Sequence, residues 1–187
     1  MNIIQCYAPT NDYNEDVKDQ FYNRLQPIIE KCPTRDLTIL MGDFNAKVGM
    51  DNTGYEDIME RHGLGERNEN SERFANLCAF NKPVIGDTIF PHKRIHKTTR
   101  TSPDHTTQTQ IDHICIKKTF RRTIEDVRNK RGADIASDHQ LLIAKMKLKL
   151  KKHWTMGRTI SQKFNTAILQ DTNKLNEFKI ALSNKFQ

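Results

Sequence analysis

The chain has 187 residues, 36% of them hydrophobic and 28% charged, with a formal net charge of +7. That suits one globular domain with a tail, and no apolar run approaches the roughly 18 residues that a membrane-spanning helix needs. The N-terminus, MNIIQCYAPT, has neither the basic segment nor the apolar core of a signal peptide, so a nuclear or cytoplasmic protein, not secreted and not on a membrane, is expected.

Charge is split along the chain. The first 91 residues hold 9 Lys+Arg against 15 Asp+Glu, and the rest hold 21 against 8. A basic half joined to an acidic half suits a polyanionic partner, although a merely solvated basic surface gives the same count. Cys6, Cys32, Cys78 and Cys115 are far apart and form no Cys-x-x-Cys pair. They read as buried free thiols, not as zinc ligands or disulfides.

Residues 2–7 read as a strand that ends at Ala8-Pro9. From Asn14, a suitable N-cap, Val17, Phe21, Leu25 and Ile28 recur at helical spacing. Pro27 is expected to kink this helix, and Pro33 closes the connection after it. Residues 37–41 form the next strand, and residues 49–70 a long polar surface loop. Ser71 is expected to cap a helix whose Phe74, Leu77 and Cys78 share one face. Residues 84–90 read as a strand, 92–108 as a polar loop and 110–116 as another strand.

A basic stretch follows at 117–131. In residues 141–150, Leu142, Ala144, Met146, Leu148 and Leu150 alternate with Lys145, Lys147 and Lys149, which predicts an edge strand with one core face and one lysine face. Residues 151–187 read as a polar linker with a weak helical pattern in Leu175, Phe178, Leu182 and Phe186. Strands alternating with helices and returning strands point to an α/β or α+β layered fold.

Chemistry concentrates at the strand ends. Gly42-Asp43-Phe44-Asn45, Gln110-Ile111-Asp112-His113 and Ser137-Asp138-His139 each set an acidic residue at the end of a strand or beside one, and Tyr7 ends the first strand. Asp is disfavoured in strands, and burying its charge costs several kcal/mol unless it is paired, protonated or metal-bound. Converging carboxylates with a His and a Tyr are the parts for metal-assisted hydrolysis of a phosphodiester. Singly, each has a plain structural reading. Asp43 with Asn45 makes an Asx-turn, Asp112 bonds a neighbouring loop, Asp138-His139 caps a strand, Tyr7 is half-buried core, and His113 is structural.

Taken in order, Tyr7-Ala8-Pro9, Gly42-Asp43-Phe44-Asn45-Ala46, Ile111-Asp112-His113 and Ser137-Asp138-His139 resemble the endonuclease/exonuclease/phosphatase superfamily. Arg67-Asn68-Glu69-Asn70, Ser102-Pro103-Asp104 and Arg131-Gly132-Ala133-Asp134 are similar to the apurinic-endonuclease-like domain of LINE-type retrotransposons, a branch that includes the craniofacial development protein 2-like sequences. The resemblance covers about residues 1–150, and residues 151–187 look like the segment that leads on to a reverse transcriptase.

This resemblance implies a four-layer α-β-β-α sandwich of two mixed sheets, and a monomer that nicks DNA with Mg²⁺, or Mn²⁺ in its place. It makes Asp43 the acceptor of the proton from the attacking water and Asn45 the holder of that water. Asp138 becomes a metal ligand, with Asp43 and Asn45 assisting, and His139 and Tyr7 contact the phosphate. Asp112 orients His139 and favours its charged form.

Family domains begin with two further strands carrying an Asn and a Glu metal ligand, so the sandwich is expected to be incomplete at its N-terminal edge. Thr10 stands where DNA-repair relatives often carry Asn, and Arg100 where this branch usually has Trp. A nucleic-acid-binding remnant without catalysis is the alternative reading, and a phosphatase of phosphoinositides or small phosphates a second.

Overall fold

The computed structural model describes residues 1–130, 132, 137–148 and 171–183. It divides into two compact units, Met1–Lys149 and Leu150–Gln187. The second unit contributes a helix, Thr172–Ser183. The end of the last expected strand, residues 151–170 and most of the Arg-Gly-Ala-Asp motif at 131–134 lie outside the described residues.

The first unit is built on a four-stranded mixed sheet. Its strands are β1 (Asn2–Tyr7), β2 (Thr38–Asp43), β3 (Pro83–Ile85) and β6 (Asp112–Lys117), in the spatial order β1-β2-β6-β3. Two short strands, β4 (Arg100–Thr101) and β5 (Gln108–Thr109), make a hairpin, and β7 (Ile124–Lys130) pairs with β8 (Leu141–Met146). Alternation along the central strands divides the core. Leu40 and Cys115 face α1 (Glu15–Glu30) and α2 (Glu69–Asn81) with Tyr22, Leu25, Phe74 and Leu77. Ile39 and Ile116 face the β7–β8 ribbon with Val127, Leu142, Ala144 and Met146. Helices, sheet and ribbon supply an α-β-β stack, three of the four expected layers among the described residues. β1 is the sheet edge, and Met1, Ile3 and Tyr7 on its outer row are 68%, 55% and 71% exposed.

Several elements differ from their sequence pattern for identifiable reasons. Asn14 does cap α1, its Oδ1 accepting from the Val17 amide at 3.0 Å. The buried face, however, is Lys18, Tyr22 and Leu25, with Val17 and Ile28 exposed. Lys18 is inside because Glu15 and Glu69 each meet its ammonium at 2.6 Å, joining the two helices. α2 starts earlier than Ser71, which is buried within it. Asn68 is the cap, and its Oδ1 accepts from the Ser71 amide at 3.1 Å. The 49–70 loop is packed, with Ile58 and Met59 in the core and the Ile58 carbonyl taking the Ile85 amide at 2.7 Å.

β3 stops at Ile85, where a 3-10 turn at Gly86–Thr88 folds Asp87 inward. The basic stretch hides a strand, β7, whose register shifts between Ile124 and Asp126 and so breaks its period of two. On β8 the exposed row is Leu141, Ile143 and Lys145, a mixed face instead of a lysine one. The four cysteines are free, with Cys78 and Cys115 buried and Cys6 and Cys32 partly exposed.

Gly42 lets the central strands reach the site. It pairs with Cys6 at φ +144°, and a Cβ there would stand 1.9 Å from the Cys6 carbonyl oxygen. Gly42→Ala is therefore expected to cost about 1–3 kcal/mol, read as a lowered unfolding midpoint in urea.

Candidate active site

Strand register sets the first groups side by side. Asp43 ends β2, and the antiparallel ladder pairs it with Asp112, the first residue of β6. Parallel pairing with β1 places Tyr7 at the same level. Asp112 shares its strand face with Ile114 and Ile116, towards the ribbon, whereas His113 turns to the opposite, helix-covered face. Thr99 holds the start of β6, its buried Oγ1 accepting from the Ile111 and Asp112 amides at 3.0 and 3.1 Å. The Thr99 carbonyl also accepts from the Gln140 amide at 2.6 Å, and the Thr101 amide donates to the Asp138 carbonyl at 2.9 Å. Arg100 bridges His139 between these bonds. The 137–140 segment is thereby fixed beside the two carboxylates.

His139 is the hub. Its Nδ1 lies 2.9 Å from Asp112 Oδ2, and its Nε2 lies 3.9 Å from both Asp43 Oδ2 and Asp138 Oδ1. Asp43, Asp112 and His139 each offer a ligand atom, all within 4.8 Å of one another, and all three are half-buried. The two carboxylates offer the oxygen donors that a divalent ion such as Mg²⁺ or Mn²⁺ takes, with the imidazole beside them. Burial pushes the Asp43 carboxyl above its usual range. The hydrogen bond from the Asn45 amide opposes that shift, and the charge of Asp112 adds to it. A carboxylate raised in this way is better matched to a general base near neutral pH.

Asn45 sits in the left-handed region at φ 47°, turning the chain sharply after the strand. Its amide donates to Asp43 Oδ1 at 2.8 Å, an Asx-turn, and its Nδ2 donates to the Ala8 carbonyl at 2.8 Å. The structural reading of this motif as an Asx-turn thus holds. Its own Oδ1 has no hydrogen-bond partner among the described residues.

Asn68, which the motif quoted above contains without a role, braces this turn. Its Nδ2 donates to the Asn45 carbonyl at 2.9 Å, while its Oδ1 accepts from the Lys47 amide at 2.9 Å as well as capping α2. The neighbouring Asn70 donates to the Pro9 carbonyl at 2.8 Å. Asn68→Ala removes a cap and the brace together, so a loss of about 1–2 kcal/mol is expected in thermal unfolding.

Two groups stand apart from the cluster of three. Asp138 gives its Oδ2 to Arg100 Nε at 2.8 Å, and that guanidinium holds the Asp138 carboxyl below the usual range. Tyr7 lies at the exposed rim, and its hydroxyl makes no hydrogen bond among the described residues.

His113 is fully buried between Asp87 Oδ2, 2.8 Å from its Nδ1, and the Ala46 carbonyl, 2.7 Å from its Nε2. Both neighbours offer acceptors, an arrangement that favours a proton on each ring nitrogen. Burial alone would lower its pKa. The Asp87 charge and the two hydrogen bonds outweigh it, and the net direction is up. Phe74 stacks on the ring at 5.2 Å. Sequence offered no sign of this clamp, since Asp87 lies 26 residues away.

A sequence profile described as the Endonuclease/Exonuclease/phosphatase family matches residues 7–139. The chain belongs to this family. Craniofacial development protein 2 from Bos taurus is 40% identical over 153 residues, which are 81% of this chain and 25% of that protein. Its counterpart from Tragulus javanicus is also 40% identical, over 81% of this chain and 26% of its own length. The chain thus spans about a quarter of the length of these curated relatives.

Among solved structures, a variant of the 3′ phosphatase NExo from Neisseria, bound to a product DNA hairpin, superposes with a TM-score of 0.58 at 17% identity, covering 78% of this chain and 61% of that one. An AP endonuclease from Archaeoglobus fulgidus gives 0.56 at 18% identity with the same coverages. At such identities the likeness speaks for the fold, an α/β sandwich. No helix among the described residues is long and apolar enough to cross a membrane.

Proposed function

We propose that this chain carries the catalytic face of a metal-dependent, DNA-nicking endonuclease domain derived from a LINE-type retrotransposon. The observation that carries the proposal is the convergence of Asp43, Asp112 and His139 within 4.8 Å at one end of the sandwich, beside Asn45 and Tyr7. Asp43 and the second oxygen of Asp112 would hold the divalent ion, Mg²⁺ or Mn²⁺, with Asn45 Oδ1 nearby and His139 left to the phosphate. When bound, the ion supplies positive charge that neutralises the phosphate.

Each side chain then has a role in the hydrolysis. Asp43 accepts the proton of the attacking water, and Asn45 orients that water. His139, aligned by Asp112 at 2.9 Å, donates to a phosphate oxygen and stabilises the charge that grows on it. Tyr7 approaches the same phosphate from the rim. The basic C-terminal half attracts the polyanion. The motifs shared with LINE-type domains favour DNA as substrate and a link to a reverse transcriptase beyond this chain.

Supercoiled plasmid with Mg²⁺ is the direct test. Nicked circles are expected with Mg²⁺ and none with a chelator, and duplex binding should persist in the chelator and weaken with salt. Salt-dependent binding without nicking would favour the remnant that only grips nucleic acid, a reading supported by the absence of any Glu from the ligand cluster among the described residues. No binding at low salt would refute both.

A further inference from the structure

Arg100 opens β4 at the mouth of the cleft. Its backbone is fixed by the β5 ladder and by the bridge to His139. The side chain reaches Asp138, where Nε donates to Oδ2 at 2.8 Å, yet remains 43% exposed. Its two terminal nitrogens make no hydrogen bond among the described residues. Among the described residues the guanidinium is thus anchored through one N–H.

Asp138 is correspondingly committed. One of its oxygens serves Arg100, the other faces His139 Nε2 at 3.9 Å, and it lies outside the three-residue ligand cluster. A divalent ion on that carboxylate would have to share it with a guanidinium, and like charges repel at such range. Asp138 also lines a cleft of about 580 Å³ with Thr101, Ser102, His105, Gln108 and Gln140, a space that Arg100 itself does not line. Planar, permanently charged and forked, a guanidinium meets two oxygens of one phosphate at once, as an ammonium cannot.

We propose that Arg100 is a phosphate-binding residue of this site, gripping the substrate phosphate with its free edge, and that Asp138 positions Arg100 instead of ligating the metal. This deepens the endonuclease reading and rests on it for the identity of the phosphate. Hydrogen bonding to Asp138, with the charge of Asp43 adding, holds the guanidinium firmly protonated.

The test uses the full chain with Arg100→Met, Arg100→Lys and Asp138→Asn, each compared with the unaltered protein by circular dichroism and unfolding midpoint. Duplex binding is measured in chelator across a salt series. Arg100→Met should reduce the slope of log affinity against log salt by about 0.9, the loss of one phosphate contact, and Arg100→Lys should restore it. In nicking assays Arg100→Lys should still lose about 100-fold in kcat, because the charge is kept and the fork is not. Calorimetric titration of Mn²⁺ without DNA should give the same affinity for Asp138→Asn as for the unaltered chain.

An unchanged salt slope in Arg100→Met would overturn the proposal. So would tighter Mn²⁺ binding in that variant, which would mean that Arg100 merely masks a ligand, or weaker Mn²⁺ binding in Asp138→Asn. If the unaltered chain does not nick, the endonuclease reading falls by itself, and the salt and Mn²⁺ measurements still decide the role of Arg100.

Discussion

Asp43→Asn is expected to lower metal-supported nicking by about 10²–10⁴-fold, the range for losing a positioned general base, while duplex affinity stays level or rises slightly. Asn keeps an oxygen for the Asn45 amide now bound at 2.8 Å, so the turn and the strand end survive. The charge, the basic site and an anionic ligand of the ion are removed together. Because Asp43 is a carboxylate in a cleft meant for phosphate, neutralising it takes away repulsion from the backbone. Single-turnover nicking beside binding in chelator separates the two effects. An equal fall in both would point to a collapsed loop and remove the base from the mechanism.

His113→Leu is expected to have the largest effect on stability. It leaves the Asp87 carboxylate, 2% exposed, without its cation, and the Ala46 carbonyl without its donor. Breaking a buried pair from one side costs about 3–5 kcal/mol. Replacing both partners should cost less than the two single changes summed, and urea unfolding of the three variants measures the coupling. Because Ala46 follows Asn45 directly, the single change should also loosen the turn between Asp43 and Asn45. Additive losses would show that the two residues act independently and that the ring is not a clamp.

The legible part of this fold is the part whose signal is local. An apolar run into Gly-Asp-Phe-Asn marked a strand delivering polar groups, and β2 runs through Gly42 to Asp43. Strand alternation separates Asp112 from His113, so the plain reading of His113 as structural follows from adjacency to a residue on the other face. What the sequence concealed depends on distant partners. Lys18 looks like a surface residue until Glu15 and Glu69 close on it. β7 looks like a basic loop because a register shift spoils its alternation and charged residues occupy its outer row. Asn68 carries no mark of bracing Asn45, and the pairing of Asp138 with Arg100 spans 38 residues. The members of the candidate site were readable from residue types at strand ends, but the pairing of its carboxylates with imidazole and guanidinium needed the three-dimensional arrangement.

The most direct measurement of the central claim is a titration of Mn²⁺ into the isotopically labelled chain, followed by paramagnetic broadening of its NMR signals. The account predicts that signals of Asp43, Asp112 and His139 broaden first and together, at substoichiometric ion, and that Asp43→Asn weakens the effect at all three. Broadening that begins at other acidic side chains, or that leaves His139 sharp when the ion is in excess, would contradict a metal–phosphate centre at this end of the sandwich.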